Sequence, residues 1–584
     1  MRAAGTARRP WRPALAIALL TFVCFAPTLR NGFVNWDDDR NFLLNTSWRG
    51  LAPANLAWMW TTFHLGHYVP LSWMTLGTDY VLWGMNPAGY HLTNNILHSA
   101  SSAFVFLIAL RLYRAVKAPS TRKGQEEDWV PAAVAALFFA LHPLRVESVA
   151  WITERRDVLS EVLYLGCVLT YLRHHDATRT HAPRRWLLPL LFACALLSKA
   201  TAVSLPVVMM ILDVYPLRRL GGAIGWKGAS AKAAIVEKLP YLALAVVAGV
   251  LSVVALPPRA QLPGAGKAAA AFYSLAFYVW KTAVPLELSP LYPMPRHLDP
   301  LEFRFVASGA LLALLAAIFV VRHRTWPGVT ACFAAFLVIT LPMLGGVQNG
   351  PQIAADRYTY HAAPALALLV GAAFDALQQR RRLLARAAGA ALVAVLAFLT
   401  VLQVGVWHDS MTFWSFVAAR EPDSGLALNG LALELVSQGR LAEGIAAYGR
   451  ALAADPELAE AENNMGVALR SSGETAAARL HLARAVQLDP AYADARVNLG
   501  SALSAAGDVP GAVEQFRSAL AENPRLASAQ FNWGNALFRS GDYAGALERY
   551  EAALAIDPAH AGAARNREVA RARLALRIRP ETLR

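Results

Sequence analysis

Charge is scarce in this sequence. Asp, Glu, Lys and Arg together make up 16% of its 584 residues, where soluble globular domains carry about a quarter. With 56% hydrophobic residues, the deficit excludes a disordered chain and an ordinary soluble enzyme, and a membrane protein remains. Cysteine is sparse as well. Cys24, Cys167, Cys194 and Cys332 each fall in a separate apolar run, so they build neither a disulfide framework nor a metal cluster. Ionisable residues inside the apolar runs are few and no inverted repeat is evident, which argues against a transporter. Basic residues exceed acidic ones, 55 against 40, for a formal charge of +15. They lie in short segments between apolar runs without an aromatic platform, a distribution that marks membrane topology and not phosphate-backbone binding.

The apolar runs predict eleven membrane spans. The first follows Arg2, Arg8, Arg9 and Arg12 and ends near Thr28. No small-residue cleavage site follows it and no lipobox precedes Cys24, so it reads as a retained span with a cytoplasmic N-terminus. The others fall near 92–110, 129–143, 157–172, 186–198, 201–215, 239–256, 305–321, 326–344, 361–377 and 387–406. Several are shorter than the ~20 residues a straight span needs, which predicts broken or re-entrant helices. The stretch 268–284, with aromatics and Lys281, reads as an interfacial helix. Segments assigned inside are about threefold denser in Lys and Arg than those assigned outside. An odd span count then places the C-terminal region outside the cytoplasm. Arg far outnumbers Lys and Ala is abundant, as in GC-rich bacterial genomes, so the expected location is a bacterial inner membrane with the C-terminal region periplasmic or extracellular.

The C-terminal third has a different character. Pro422, Pro456, Pro490, Pro524 and Pro558 recur every 34 residues, as do Gly439, Gly473, Gly507 and Gly541. Ala432, Gly466, Gly500 and Gly534 keep the same step, and so do Tyr448, Leu482, Phe516 and Tyr550. A 34-residue helix–turn–helix unit with these small and aromatic positions is the tetratricopeptide repeat. The chain therefore divides into a membrane domain over 1–406, with its first outer loop at 30–91; a linker over 407–424; four repeats over 425–558; and a capping helix and tail over 559–584. The fold class is all-α throughout. Asn464, Asn498 and Asn532 also lie 34 apart. Their amides either pair with the backbone of a peptide in the groove or stabilise packing between repeats. In the first repeat Gly430 stands at this place.

Asp37, Asp38 and Asp39 directly follow the first span. They are either ordinary outside charges or a general base at the lipid surface. A membrane enzyme that moves sugar from a lipid phosphate needs a carboxylate to deprotonate the acceptor hydroxyl, and cationic groups to stabilise the leaving phosphate. His142, Arg145, Arg155, Arg156, Lys199 and Arg357 fall on the same side.

These residues stand in motifs that resemble a known family. They are Phe33-Val-Asn-Trp-Asp-Asp38, His67-Tyr-Val-Pro-Leu-Ser-Trp73, Asn86-Pro-Ala-Gly-Tyr-His-Leu-Thr-Asn94, the stretch His142 to Asp157, Asp213-Val-Tyr-Pro-Leu-Arg218 and Asp356-Arg-Tyr-Thr-Tyr360. Together with the repeats, the chain resembles the membrane glycosyltransferases with tetratricopeptide repeats that include the transmembrane O-mannosyltransferases of animals and their bacterial relatives. The resemblance implies a GT-C fold with its active site on the outer face, and O-mannosylation from a lipid-phosphate sugar. It implies Asp37 and Asp38 as the catalytic acidic pair, with Asp37 most naturally the base. It further implies Arg155, Arg357, His142 and Tyr358 as groups toward the donor phosphate, and Glu147 and Asp157 in support, with Asp157 the ion-pair partner of Arg155.

The leading expectation is an inverting transferase moving a mannose-like sugar from a polyprenyl phosphate to Ser/Thr hydroxyls of polypeptides held by the repeats through Asn464, Asn498 and Asn532. Membrane lipid, the donor and acceptor polypeptides are the expected partners, and nucleic acid is not. No cofactor is expected. A divalent metal on Asp37–Asp39 is conceivable in charge, but a lipid-monophosphate donor does not demand one. The rival readings are a transferase of the same fold acting on a glycan or lipid, with the repeats as an assembly module, and a non-enzymatic membrane scaffold.

Overall fold

The computed structural model describes residues 10–116, 129–176, 186–222, 224–256, 264–295, 297–344 and 350–578. The chain forms two compact units, Met1–Phe413 and Trp414–Arg584.

The first unit is helical, apart from a short antiparallel pairing of Tyr292–Pro293 with Gln352–Ala354. Each of the eleven segments read as spans contains a helix. Among the described residues, five helices are long and apolar enough to cross a membrane: Trp11–Arg30, Pro87–Val116, Ala229–Ala255, Phe303–Arg322 and Arg382–Val406. Trp129–Ala140 and Pro143–Ala150 are long and apolar enough only as a pair, bent by 53° at the break between them. The remaining segments depart from the expectation of full spans. Leu187–Ser198, Ala200–Val214 and Pro327–Met343 are short apolar helices. A 14-residue helix reaches ~21 Å of a ~30 Å hydrocarbon layer. The Arg155–His174 helix instead opens on charged residues, with Arg155, Arg156, Asp157 and Glu161 in its first two turns.

The bend has an identifiable cause. Pro143 has no N–H and cannot continue the preceding helix. The freed carbonyls find side-chain donors on other helices: the Ala140 oxygen faces Nε2 of His98 at 3.0 Å, and Leu141 accepts from Thr400 Oγ1 at 2.7 Å. Between the first two long helices, the connecting loop folds on a largely aromatic core of Phe42, Trp48, Met59, Trp73, Leu76, Tyr90 and Ile152. That core ties the loop to the turn beyond the bend.

In the second unit, paired helices repeat as the period predicts, from Gly425–Ser437 with Leu441–Ala454 to Ala527–Arg539 with Tyr543–Ile556. Gly439, Gly473, Gly507 and Gly541 all have φ between +79° and +91°, the left-handed turn that glycine enters without steric cost. The small position inside each repeat is set by close approach. A Cβ at Gly466, Gly500 or Gly534 would lie 2.6–2.7 Å from Leu482, Phe516 or Tyr550. Asp455, Asp489, Asn523 and Asp557 accept from the N–H two residues on and fix the turns between repeats. The stretch expected as a linker holds the Ser410–Arg420 helix. Its Trp414 ring occupies the space a side chain at position 430 would need, which explains why the Asn ladder starts one repeat late.

Candidate active site

The acidic stretch after the first long helix divides its labour sharply. Asp38 is 1% exposed. Its Oδ2 accepts from the Val34 N–H at 3.0 Å, and its Oδ1 from the Thr153 N–H at 3.2 Å and hydroxyl at 2.7 Å. Burial pushes its carboxyl up to about 7 against those hydrogen bonds. Asp38 is thus a clasp between the loop and the 151–154 turn. Asp37 has the opposite character. The residue is exposed, yet enough protein surrounds it that burial raises its carboxyl above the usual range, opposed by Arg156, Arg40 and Arg357. Its φ of +78° is a conformation L-residues rarely hold, and such strain gathers at functional sites. Asp39 opens a short π-helical turn, Asp39–Leu43.

Arg156 and Arg357, two of the cations that act on Asp37, and Lys199 are each paired with carboxylates. Arg156 makes a two-point pair with Glu154, at 2.7 and 3.1 Å. Lys199, in the extended residue between two short helices, reaches Glu154 at 3.0 Å and Asp157 at 2.5 Å. Arg357 pairs with Glu147 through both its backbone N–H, at 2.8 Å, and its guanidinium, and lies 3.4 Å from Glu154. The layering is what matters. Arg156 and Lys199 are 14% and 13% exposed, whereas Glu154 is 0% and Asp157 1%. Arg156 and Lys199 form the accessible surface and the carboxylates their backing, while Arg357 is buried with its Glu147 partner. Burial works to raise the Glu154 carboxyl, but Arg156, Lys199 and Arg357 together hold it well below the usual range. His67 stands by the same cations. Burial and the nearby Arg156 keep it neutral, well below the ordinary histidine range.

Other expected site residues take different places. Arg155 is fully buried and bound to Asp79 at 2.7 Å, to the Tyr90 carbonyl at 2.9 Å and to the Asn94 side chain. It braces the bundle, and its neighbour Arg156 faces the site. Asp157 accordingly pairs with Lys199 and not with Arg155, and also accepts from Ser148 at 3.0 Å. His142 is buried, with Nε2 against the Thr282 carbonyl at 3.1 Å and Nδ1 accepting from the Leu144 N–H, so neither ring nitrogen is available to a phosphate. Tyr358 lies under Arg357, 4.9 Å from guanidinium carbon to ring centre, with Trp151 also beside it at 5.4 Å. The Tyr358 hydroxyl accepts from Gln352 at 3.0 Å. It shapes the arginine's bed. Among the described residues no three His, Cys, Asp or Glu side chains converge as a metal-ligand set.

In the repeat unit, Asn464 donates to Asn429 at 3.1 Å, Asn463 to Asn464 at 3.1 Å, and Asn498 to Asn463 at 2.8 Å. The amides therefore satisfy one another between neighbouring repeats, which favours the packing reading over the backbone-pairing one. Asn532 is partly exposed, and Asn566, 34 residues on in the capping helix, extends the series.

Glu154 and His67 carried no role in the sequence reading. Glu154 was legible only as one of several acids beside two arginines.

Comparison with known proteins accords with this division. The profile of the tetratricopeptide repeat matches residues 429–495 and 497–561. The chain is similar to protein O-mannosyl-transferase Tmtc2 of Drosophila melanogaster, 34% identical over 218 residues, covering 35% of this chain and 22% of that protein. Protein O-mannosyl-transferase Tmtc1 of the same fly is 35% identical over 33% of this chain and 22% of its own length. Its mouse relative TMTC4 is 28% identical over 36% and 30%. The matches thus span about a quarter of these relatives' lengths. Among solved structures, the MamA protein is 25% identical over 27% of this chain and 86% of its own, with a TM-score of 0.25. The second unit of this all-α chain is a tetratricopeptide-repeat domain, joined to a helical unit with several apolar candidate spans.

Proposed function

We propose that the protein is an integral-membrane glycosyltransferase that moves a mannose-like sugar from a polyprenyl-phosphate donor to Ser/Thr hydroxyls of polypeptides outside the cytoplasm, with the repeats docking the acceptor. The observation that carries the reading is the exposed, strained Asp37, on whose carboxyl Arg156 and Arg357 act, with Lys199 joined to Arg156 and Arg357 through the buried Glu154. Similarity to proteins named O-mannosyl-transferases supports it.

In this reaction the Asp37 carboxylate takes the proton of the acceptor hydroxyl as that oxygen attacks the anomeric carbon. The bond from that carbon to the phosphate oxygen breaks with inversion. The leaving phosphate keeps the electron pair, and Arg156, Lys199 and Arg357 stabilise its charge. Their carboxylate backing holds them in place before the donor arrives, so little reorganisation accompanies charge development. Asp38 positions the base from below.

The test is transfer by the purified full-length protein from mannosyl-phosphoryl polyprenol to a Ser/Thr-rich peptide, read as a hexose mass increment. Arg156→Gln is expected to raise the donor KM. Absence of transfer from any polyprenyl-phosphate hexose would overturn the proposal.

A further inference from the structure

The loop that carries Asp37 also brings a histidine to the cations, and the reaction as written does not use it. His67 ends a strained turn: Leu65 and Gly66 both hold positive φ, +48° and +77°, and a leucine keeps such a φ only where its surroundings enforce it. The helix Pro70–Trp83 follows directly. Its Ser72 donates to the carbonyl of Ser198 at 3.0 Å, one residue before Lys199, and its Trp73 is packed in the largely aromatic core with Ile152. His67 is thereby held beside Arg156, Lys199 and Arg357, whose charges all act on its ring. His64, three residues earlier, is occupied otherwise. Its ring lies 5.8 Å from those of Trp58 and Trp73, and the charge that acts on it is that of Asp37.

His67 is partly exposed, and among the described residues neither of its ring nitrogens makes a hydrogen bond. Other histidines of this unit are committed: His91 to the Gly32 carbonyl, His98 to Tyr360 and His142 to the Thr282 carbonyl. Arg156 and Lys199 offer donors only, and their carboxylates are buried behind them. A neutral imidazole adds one donor and one acceptor. A phosphate oxygen takes donors alone, whereas a sugar hydroxyl both gives and accepts. During displacement the sugar lies between the attacking oxygen, held at Asp37, and the phosphate on the cations. We infer that His67 hydrogen-bonds a hydroxyl of the transferred sugar and so selects which hexose is moved. The inference rests on the transferase reading and adds to it the residue that distinguishes one sugar from another.

The probes are mannosyl-phosphoryl polyprenol, its monodeoxy analogues, each lacking one free hydroxyl of the sugar, and sugar-free polyprenyl phosphate. Their affinities are read on the full-length protein in detergent micelles. The wild type is expected to prefer the mannosyl donor about tenfold over one of the analogues, a ratio in keeping with one lost hydrogen bond. His67→Phe keeps an aromatic ring without its nitrogens. It should bind the mannosyl donor as weakly as that analogue, and both the analogue and sugar-free polyprenyl phosphate as the wild type does. His67→Gln, whose amide carries a donor and an acceptor, should recover part of the preference. Should the phenyl ring disturb the turn, His67→Ala gives the same comparison. Three results overturn this role and leave the transferase reading standing: equal binding of all the glycosylated donors by the wild type, an undiminished preference in His67→Phe or His67→Ala, or an equal loss for the sugar-free lipid, which would put His67 on the phosphate. Failure of the wild type to bind any of these lipids overturns both.

Discussion

Replacing Asp37 with Asn is the most direct perturbation of the site. The side chains have the same size, and Asn is one of the few residues that tolerates a φ of +78°, so the loop keeps its conformation. What is lost is the acceptance of a proton. General-base assistance contributes ~10²–10⁴-fold, equivalent to ~3–5 kcal/mol of barrier. Donor binding rests on Arg156, Lys199 and Arg357 and should change little. The neighbouring Asp38→Asn makes the control, because its effect is of another kind. Asn can still accept from the Thr153 N–H and hydroxyl through its one oxygen, but its amide nitrogen then faces the Val34 N–H, donor against donor. Losing that bond and stranding a buried donor costs ~1–3 kcal/mol. The assay pairs initial rates of mannosyl transfer with thermal unfolding of the purified protein in one detergent. The expected pattern is a rate at least a hundredfold lower with an unchanged melting temperature for Asp37→Asn, and a lower melting temperature with a smaller rate loss for Asp38→Asn. Wild-type turnover in Asp37→Asn would refute the assignment of the base.

Three further outcomes are expected. Arg155→Gln strands Asp79 in the interior and should destabilise the membrane unit by ~3–5 kcal/mol, whereas Arg156→Gln should fold normally and weaken the donor; equal melting temperatures would contradict this. The base acts only when ionised, so log kcat/KM should fall as pH drops through the Asp37 pKa, which burial raises above 3.8. Arg40 opposes that rise, so Arg40→Gln should move the acid limb to higher pH; a limb that stays in place or moves down counts against Asp37 as the titrating group. Replacing Asn464 and Asn498 with Ala removes amide pairs between repeats and should lower the stability of the repeat unit by ~1 kcal/mol each, measurable by denaturant unfolding; loss of peptide affinity with unaltered stability would restore the backbone-pairing reading.

The repeats were legible because their constraints are local and periodic. A left-handed turn demands glycine at 439, 473, 507 and 541, and a helix–helix approach too tight for a Cβ demands it at 466, 500 and 534. The membrane helices were legible in position, but not in how far each reaches. The site was legible as a neighbourhood and not as an assignment. Successive helical residues point about 100° apart, so which of Arg155 and Arg156 meets solvent depends on how the Arg155–His174 helix is rotated against Asp79 and Asn94. Asp37 and Asp38 differ likewise by the direction of the chain between them, which is decided by Thr153, 115 residues away. His142 could not be told from a ligand until the carbonyl of Thr282 was seen opposite its Nε2.

The bend at Pro143 has a mechanical consequence. Its open carbonyls are tied to His98 on one long helix and Thr400 on another, and His98 is itself joined to Tyr360 at 2.6 Å. Three separate stretches of chain therefore meet at the break and hold it as a fixed corner. The turn that carries Glu147, Glu154 and Arg156 begins at that corner and Arg357 lies three residues before Tyr360, so the cationic wall is anchored like the anvil of a press. Asp37 lies on a separate piece of chain, the loop between the first two long helices. That loop is attached to the wall chiefly through the Asp38 clasp and the aromatic core beneath it.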